Sequence, residues 1–116
     1  MVIEDNPDNM ALIEEILEDE GFDVLKAPLA EEGIALLKEA GADLILMDIS
    51  LPKMSGMEAT QIIKADDAIK DIPVIALTAH ATKTDRNMAL SAGCDDFITK
   101  PIDEDELLAM INEHLD

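Results

Sequence analysis

The chain has 116 residues, of which 27 are acidic and 8 are basic, so its formal net charge is −19. This length allows one compact domain with a single core, and 48% of the residues are apolar and can build that core. The charge disfavours binding to nucleic acid or to anionic membranes, because lysine and arginine make those contacts. A metal cation or a basic partner surface would instead be attracted.

The cysteine count and the search for targeting signals also limit the class of protein. The single cysteine, Cys94, excludes an internal disulfide, which fits a reducing compartment. No apolar run approaches the roughly 20 residues that cross a bilayer, and no signal peptide is visible. We therefore expect a cytoplasmic protein formed by a single domain over residues 1–116, without an output domain.

The first part of the chain predicts two strands around a helix. The apolar residues 1–3 predict a strand that ends at the acid pair Glu4 and Asp5. Asn6 and Pro7 then favour a helix start, because asparagine suits the N-cap and proline suits the first helical position. Apolar residues continue at helical spacing up to Gly21, which favours a helix end. Alternation over residues 22–27 predicts the second strand.

The middle of the chain contains the most informative strand. A helix is predicted over residues 30–40. After it, Leu44 to Met47 form an unbroken apolar run that stops at the carboxylate of Asp48. Such a run is typical of a strand buried on both faces. Asp48 therefore lies where a buried strand reaches the surface; the alternative is an aspartate that only caps the following turn.

The remaining elements repeat the alternation of strand and helix. The sequence predicts helices over 57–64 and 83–92 and strands over 73–77 and 96–99. Thr78 and Lys100 follow these two strands. Asp103 and Glu106 have the spacing of a capping box, so a last helix is predicted from there to the end of the chain. Five strands alternating with five helices indicate an α/β domain with a parallel sheet, and right-handed crossovers place helices on both faces.

Polar side chains follow four of the five predicted strands. In a parallel sheet, Glu4, Asp5, Asp48, Thr78 and Lys100 would meet at one edge. Gathered carboxylates repel one another unless a cation joins them, and Mg²⁺ prefers such oxygen ligands. An aspartate beside Mg²⁺, a lysine and a hydroxyl is a plausible nucleophile toward phosphorus. The alternative is that acids follow these strands by chance in an acidic protein.

Four separated blocks of sequence closely resemble the receiver domains of two-component response regulators, of which the chemotaxis response regulator is an example. The blocks keep the family's order and spacing over essentially the whole chain. They are Glu4-Asp5-Asn6, Met47-Asp48-Ile49-Ser50-Leu51-Pro52-Lys53-Met54-Ser55-Gly56, Leu77-Thr78-Ala79 and Lys100-Pro101. The resemblance implies a flavodoxin-like fold with strand order 2-1-3-4-5.

The resemblance also implies a phosphoacceptor site. Asp48 would take a phosphoryl group from a phosphohistidine on a histidine kinase or a histidine phosphotransferase, and a downstream protein would read the change. Mg²⁺, or alternatively Mn²⁺, would be held by the carboxylates of Glu4, Asp5 and Asp48 and by the backbone carbonyl of Ser50.

Other positions take family roles by the same resemblance. Lys100 would pair with the phosphoryl group, Thr78 would turn toward it, and Phe97 would follow as the switch aromatic. Pro101 would follow a cis peptide bond. Ala79 and His80 complete the block after Thr78, and His80 and Ser50 occupy positions that tune dephosphorylation.

The sequence departs from the commonest family pattern at its acid pair, which is Glu-Asp rather than Asp-Asp, and at a short first strand. Several alternatives stay open. The chain could be a receiver excised from a hybrid histidine kinase, or an interaction module that works without phosphorylation. A haloacid dehalogenase-like phosphatase is disfavoured because Asp-x-Asp-x-Thr is absent after the first strand, and a flavin binder because no phosphate-binding loop follows it.

Overall fold

A computed structural model describes residues 1–49, 54–79 and 82–115, except the side chain of Asp85. The strands are β1 (Val2–Ile3), β2 (Lys26–Ala27), β3 (Ile45–Asp48), β4 (Val74–Thr78) and β5 (Asp96–Thr99). The helices are α1 (Pro7–Asp19), α2 (Ala30–Ala40), α3 (Gly56–Ala65), α4 (Lys83–Ala92) and α5 (Glu104–Leu115). All strand pairs are parallel, in the order β2-β1-β3-β4-β5, which confirms the predicted fold class and strand order.

The second strand is much shorter than the sequence predicts. Pairing covers Lys26 and Ala27 only, rather than all of residues 22–27. The physical reason is that β1 offers just Val2 and Ile3 as partners. Phe22 and Val24 are partly buried against the core instead, so their alternation reflects side-chain packing rather than strand pairing.

Capping residues fix where the helices begin, largely as predicted. The Asn6 side chain accepts hydrogen bonds from the backbone N–H groups of Asp8 and Asn9, at 2.9 and 3.2 Å, and Pro7 follows at the first helical position. Ser55 caps α3 by accepting from Glu58 N at 3.2 Å. Asp103 accepts from Glu106 N at 2.9 Å, which confirms the predicted cap of α5.

The sheet separates two apolar clusters. On the α2–α3–α4 side, buried residues include Ile3, Leu37, Ile45, Met47, Ile63, Val74 and Ala76. On the α1–α5 side, they include Val2, Ile13, Leu46, Ile75, Leu77, Ile98 and Leu107. Successive residues of β3 and β4 alternate between the clusters, so both strands are covered on both faces. The unbroken apolar runs in the sequence follow from this double burial.

None of the described helices combines the length and the apolar character that crossing a membrane requires.

Candidate functional site

The parallel register brings the polar strand ends together. Ile3 pairs with Met47, so Glu4, which directly follows β1, is level with Asp48, the last residue of the neighbouring strand β3. Asp48 pairs with Leu77 and Thr78 pairs with Thr99, which places Lys100 at the same edge. The loops that follow buried parallel strands meet at this edge, where open α/β sheets bind their ligands. The structure thus brings Glu4, Asp48, Thr78 and Lys100, four of the predicted site residues, to one edge of the sheet.

Three carboxylates form the centre of this site. Glu4, Asp5 and Asp48 each offer one oxygen, and these oxygens all lie within 4.8 Å of one another. Glu4 and Asp48 are only 1% and 2% exposed, whereas Asp5 is exposed. The cluster therefore has a buried floor of two acids and a third acid that faces the solvent.

Lys100 is the cation within reach of the buried acids. Its Nζ lies 2.7 Å from Glu4 Oε1 and 3.5 Å from Asp48 Oδ2. Burial by itself lowers the pKa of Lys100, but the contacts with Glu4 and Asp48 outweigh it and raise the pKa above its ordinary value of 10.5. The Lys100 ammonium therefore stays charged at neutral pH beside the three carboxylates.

The carboxylate of Glu4 is incompletely satisfied. Neither of its buried oxygens has a hydrogen-bond partner of good geometry among the described residues. The 2.7 Å contact of Lys100 with Oε1 is thus an ion pair that balances charge, while Oε2 has no hydrogen-bond partner in the part of the chain that the structure describes. Leaving a buried polar atom unpaired costs about 1–3 kcal/mol. An oxygen-rich, negatively charged cluster with an unsatisfied oxygen fits a hard cation such as Mg²⁺.

Gly56 brings the start of α3 against the backbone of the central strand. A Cβ placed on Gly56 would lie 2.2 Å from the backbone oxygen of Asp48 and 2.6 Å from the Cα of Ile49. Real Cβ atoms do not approach so closely, so this contact requires glycine. This role of Gly56 does not follow from the sequence pattern, although the residue belongs to the same block as Asp48. The signal available was a glycine at the first helical position, directly after the Ser55 cap.

The other predicted residues lie around this centre. Thr78 is buried at the end of β4, and its backbone oxygen accepts from Lys100 N at 2.7 Å. Phe97 is half-buried and packs against the α2–α3–α4 cluster. The peptide bond between Lys100 and Pro101 is cis, as predicted.

The structure gives less information about Ser50, Ala79 and His80. Ala79 is exposed just after β4. Ser50 and His80 lie outside the described residues. The metal contact of the Ser50 carbonyl and the influence of His80 on dephosphorylation therefore stay predictions.

Comparison with known proteins points to one family. Residues 1–112 match the family described as the response regulator receiver domain. The polar-differentiation response regulator DivK of Brucella anthropi is 40% identical over 115 residues, which cover 99% of this chain and 94% of that protein.

Solved structures agree with that match. The receiver domain of sensor histidine kinase PA1611 from Pseudomonas aeruginosa PAO1, solved with a magnesium ion coordinated in the active site cleft, has a TM-score of 0.91 at 34% identity, over 98% of this chain and 93% of that chain. A second likeness is to the co-crystal structure of the Saccharomyces cerevisiae histidine phosphotransfer signalling protein Ypd1 and the receiver domain of Ssk1. Its TM-score is 0.90 at 31% identity, over 97% of this chain and 84% of that chain.

Proposed function

Because the chain belongs to the response regulator receiver domain family of two-component signalling, we propose that Asp48 is its phosphoacceptor and that a partner phosphohistidine is the donor. One observation carries this proposal. The nearly buried Asp48 lies within 3.5 Å of the Lys100 ammonium and within 4.8 Å of two further carboxylates. This arrangement fits charge-balanced transfer of a phosphoryl group.

The chemistry is a displacement at phosphorus. A carboxylate oxygen of Asp48 attacks the phosphorus, the bond between phosphorus and the histidine nitrogen breaks, and the imidazole leaves with the electron pair and takes up a proton. Lys100 already contacts Asp48 and can follow the negative charge from the carboxylate to the new phosphoryl oxygens. Its raised pKa keeps it protonated throughout.

The three carboxylates would hold the metal. We assign Mg²⁺, with Mn²⁺ as a second possibility, to Glu4, Asp5, Asp48 and the backbone carbonyl of Ser50. When bound, the ion would neutralise charge on the phosphoryl oxygens. The exposed Asp5 would give the ion a ligand on the solvent side, and the buried Glu4 would supply an oxygen that has no hydrogen-bond partner among the described residues.

The response to phosphorylation would pass through Thr78 and Phe97. Thr78 ends β4 beside the site, and Phe97 pairs with Ala76 of the same strand in the sheet register. A hydroxyl that turns toward the phosphoryl group would change the space available to the half-buried ring. Phosphorylation would in this way shift a conformational equilibrium rather than start a catalytic cycle on an external substrate.

The partners follow from the chemistry of the donor. A histidine kinase or a histidine phosphotransferase would supply the phosphoryl group; the receiver domain of Ssk1 has been co-crystallised with the phosphotransfer protein Ypd1. A downstream protein would read the phosphorylated surface. The net charge of −19 disfavours nucleic acid and membranes as partners. A cytoplasmic location fits the single buried thiol of Cys94.

Acetyl phosphate tests the proposal without a partner protein. The folded chain is incubated with this donor, with and without Mg²⁺, and its intact mass is measured by mass spectrometry. We expect one added phosphoryl group in the presence of Mg²⁺ and none in Asp48→Asn. The matched control is Asp67→Asn, which removes an exposed carboxylate in the turn after α3 and should be labelled like the wild type. Labelling of Asp48→Asn would move the acceptor elsewhere, and absence of labelling in a folded wild type would favour an interaction module.

A further inference from the structure

Lys64, in the last turn of α3, joins segments that are distant in the sequence. Its ammonium donates to the backbone oxygens of Lys70 and Ile72, at 3.1 and 2.9 Å, and to Asp95 Oδ2 at 2.9 Å. An ammonium carries three hydrogens, so each of them has an acceptor here. We call these residues the Lys64 anchor. The anchor ties α3 to the segment before β4 and to the turn before β5.

Asp95 extends the Lys64 anchor to the first residue of β4. Its Oδ2 also accepts from Val74 N at 2.8 Å, and its own N–H donates to Val74 O at 2.8 Å. The Lys64 side chain is 21% exposed, whereas the side chain of Lys70 in its surface pair is 48% exposed. Hydrogen bonds that involve charged groups are the stronger ones, and burial reduces their screening. We therefore expect the anchor to hold more firmly than a surface pair.

The carboxyl end of α4 lies against this anchor. Gly93 follows the helix with a φ of +110°, and a Cβ placed there would lie 2.9 Å from Lys64 Cγ. The buried thiol of Cys94 lies 3.7 Å from the hydroxyl of Thr60, which is one turn before Lys64 on the same side of α3. Cys94 N donates to the oxygen of the buried Ala89 at 3.1 Å. The end of α4 is thus packed against α3 and held by the same lysine that fixes the turn after it.

The amino half of α4 is held differently. Every described side chain in the range 83–88 is exposed, whereas the buried residues Ala89 and Ala92 lie in the second half of the helix. A cavity of about 390 Å³ lies between α3 and α4, and Thr84 and Asn87 are among the residues that line it. Segments with few buried contacts open at a low free-energy cost. The two halves of one helix therefore differ in local stability.

We propose that Lys64 is a positioning residue that keeps the carboxyl end of α4 closed, so that local opening of this helix is confined to its amino half. Opening of residues 83–88 separates few buried groups. Opening of the following residues would expose Ala89 and Cys94 and break the contact of Asp95 with Lys64.

The direction of α4 gives this confinement a place in the molecule. The helix connects the parallel strands β4 and β5, so it runs back along the sheet, and its amino half lies toward the carboxyl edge that contains Asp48. The Lys64 anchor lies at the opposite edge, beside the first residues of β4 and β5. The anchor uses none of the residues assigned to phosphotransfer, and its role goes beyond the phosphoacceptor function.

Hydrogen exchange of the unphosphorylated chain tests the proposal. The exchange of single backbone amides is followed by NMR at several urea concentrations below the unfolding transition. In the wild type, the amides of Asn87 and Met88 should exchange by local opening, at rates that urea does not change. The amides of Cys94 and Asp95 should exchange only through global unfolding, at rates that rise with urea.

The variant Lys64→Met removes the ammonium and keeps the apolar stem that contacts Gly93. We expect the Cys94 and Asp95 amides to exchange about tenfold faster or more, because bonds from a charged donor are lost. Their rates should also lose the dependence on urea. A residue that only contributed to overall stability would speed the exchange but leave its urea dependence in place.

Two further variants complete the design. Lys70→Met makes the same substitution in an exposed pair and keeps the Lys70 carbonyl that accepts from Lys64. It should change the exchange of the Cys94 and Asp95 amides by less than about twofold. Asp95→Asn removes the charge but keeps an acceptor for Val74 N, so it should abolish the urea dependence with a smaller acceleration. This variant tests the proposal even if Lys64→Met does not fold, and circular dichroism establishes which variants are folded.

Three results would overturn the proposal. The Cys94 and Asp95 amides could already exchange by local opening in the wild type, or they could keep their urea dependence in the folded anchor variants. Alternatively, Lys70→Met could have the same effect as Lys64→Met, which would make the anchor an ordinary surface pair. Because the experiment needs no phosphodonor, its failure would leave the role of Asp48 unaffected.

Discussion

Two regions of the molecule contain an ion pair between a lysine and a carboxylate, but the pair has different consequences in each region. At the carboxyl edge of the sheet, Lys100 lies 2.7 Å from Glu4, whose side chain is 0% exposed. On the helical surface, Lys70 lies 3.1 Å from Asp67, whose side chain is 95% exposed. The distances are similar, so the difference between the regions lies in how much water surrounds the charges.

Burial strengthens every electrostatic interaction at the sheet edge, favourable and unfavourable alike. Exposed ion pairs are worth about 0.2–1 kcal/mol because water and salt screen them. At the edge, the Lys100 ammonium lies beside the buried carboxylates of Glu4 and Asp48, and the exposed Asp5 adds a third carboxylate to the cluster. Among the described residues, three carboxylates at the edge share the Lys100 ammonium, whereas the surface pairs are balanced one to one. A region whose charges do not cancel is suited to receive a cation or to exchange a phosphoryl group.

The largest expected change in stability comes from removing the Lys100 ammonium at the carboxyl edge of the sheet. Lys100→Met keeps the length of the side chain and leaves three carboxylates together. We expect the free energy of unfolding to fall by about 3 kcal/mol, because breaking a buried pair leaves uncompensated charge. Urea unfolding in the presence of a chelator measures it. A decrease of less than about 0.5 kcal/mol would mean that water screens the charges at this edge as well as it screens those of the surface pairs.

A smaller effect of opposite sign comes from removing one acid. Asp48→Asn takes away a charge that two carboxylates repel and one ammonium attracts, and it eases the burial of the side chain. We expect the free energy of unfolding to rise by about 1 kcal/mol without Mg²⁺, as is common when a functional residue is neutralised. Adding Mg²⁺ should stabilise the wild type by mass action. The difference in the free energy of unfolding between the wild type and Asp48→Asn should then become smaller. Thermal unfolding with and without the ion tests both statements.

The pH dependence of stability offers a third comparison. The pKa of Lys100 is raised in the folded chain, so its stabilising contribution is fully present below the unfolded value of 10.5 and is lost as the pH rises through the higher folded value. The stability difference between the wild type and Lys100→Met should therefore shrink above pH 10.5. Urea unfolding of both proteins across this range measures it, and a constant difference would contradict the assignment.

The smallest effect belongs to the surface. Lys70→Met removes one partner of the exposed pair with Asp67. We expect the free energy of unfolding to change by less than about 0.5 kcal/mol, because water replaces the lost partner. The same urea titration serves for the measurement, at low and at moderate salt. A change comparable to that of Lys100→Met would remove the distinction between the two regions.

The place of Asp48 at the end of a buried strand could be predicted from the sequence, because a single strand reveals it. Residues Leu44 to Met47 are buried on both faces, which forces an unbroken apolar run, and Asp48 ends that run. The order of the strands was available only through the resemblance to a family. Hydrophobic periodicity states that a segment is a strand, but it does not state which strands are neighbours.

Other features were not predictable because they depend on tertiary contacts. The sequence treats Glu4 and Asp5 alike, yet one is buried and the other exposed. Alternation in a strand places adjacent residues on opposite faces without showing which face is covered. The excess length predicted for β2 has the same origin, because the packing of Phe22 and Val24 imitates the pattern of a paired strand.

The close approach at Gly56 limits the substitutions that this sequence can accept. The position carries no chemical group, yet any added carbon would collide with the backbone of Asp48. In a library that samples every substitution at every position, position 56 should tolerate change about as poorly as Asp48, the proposed phosphoacceptor. The stretch of sequence that selection must hold fixed is therefore larger than the set of side chains that take part in the chemistry.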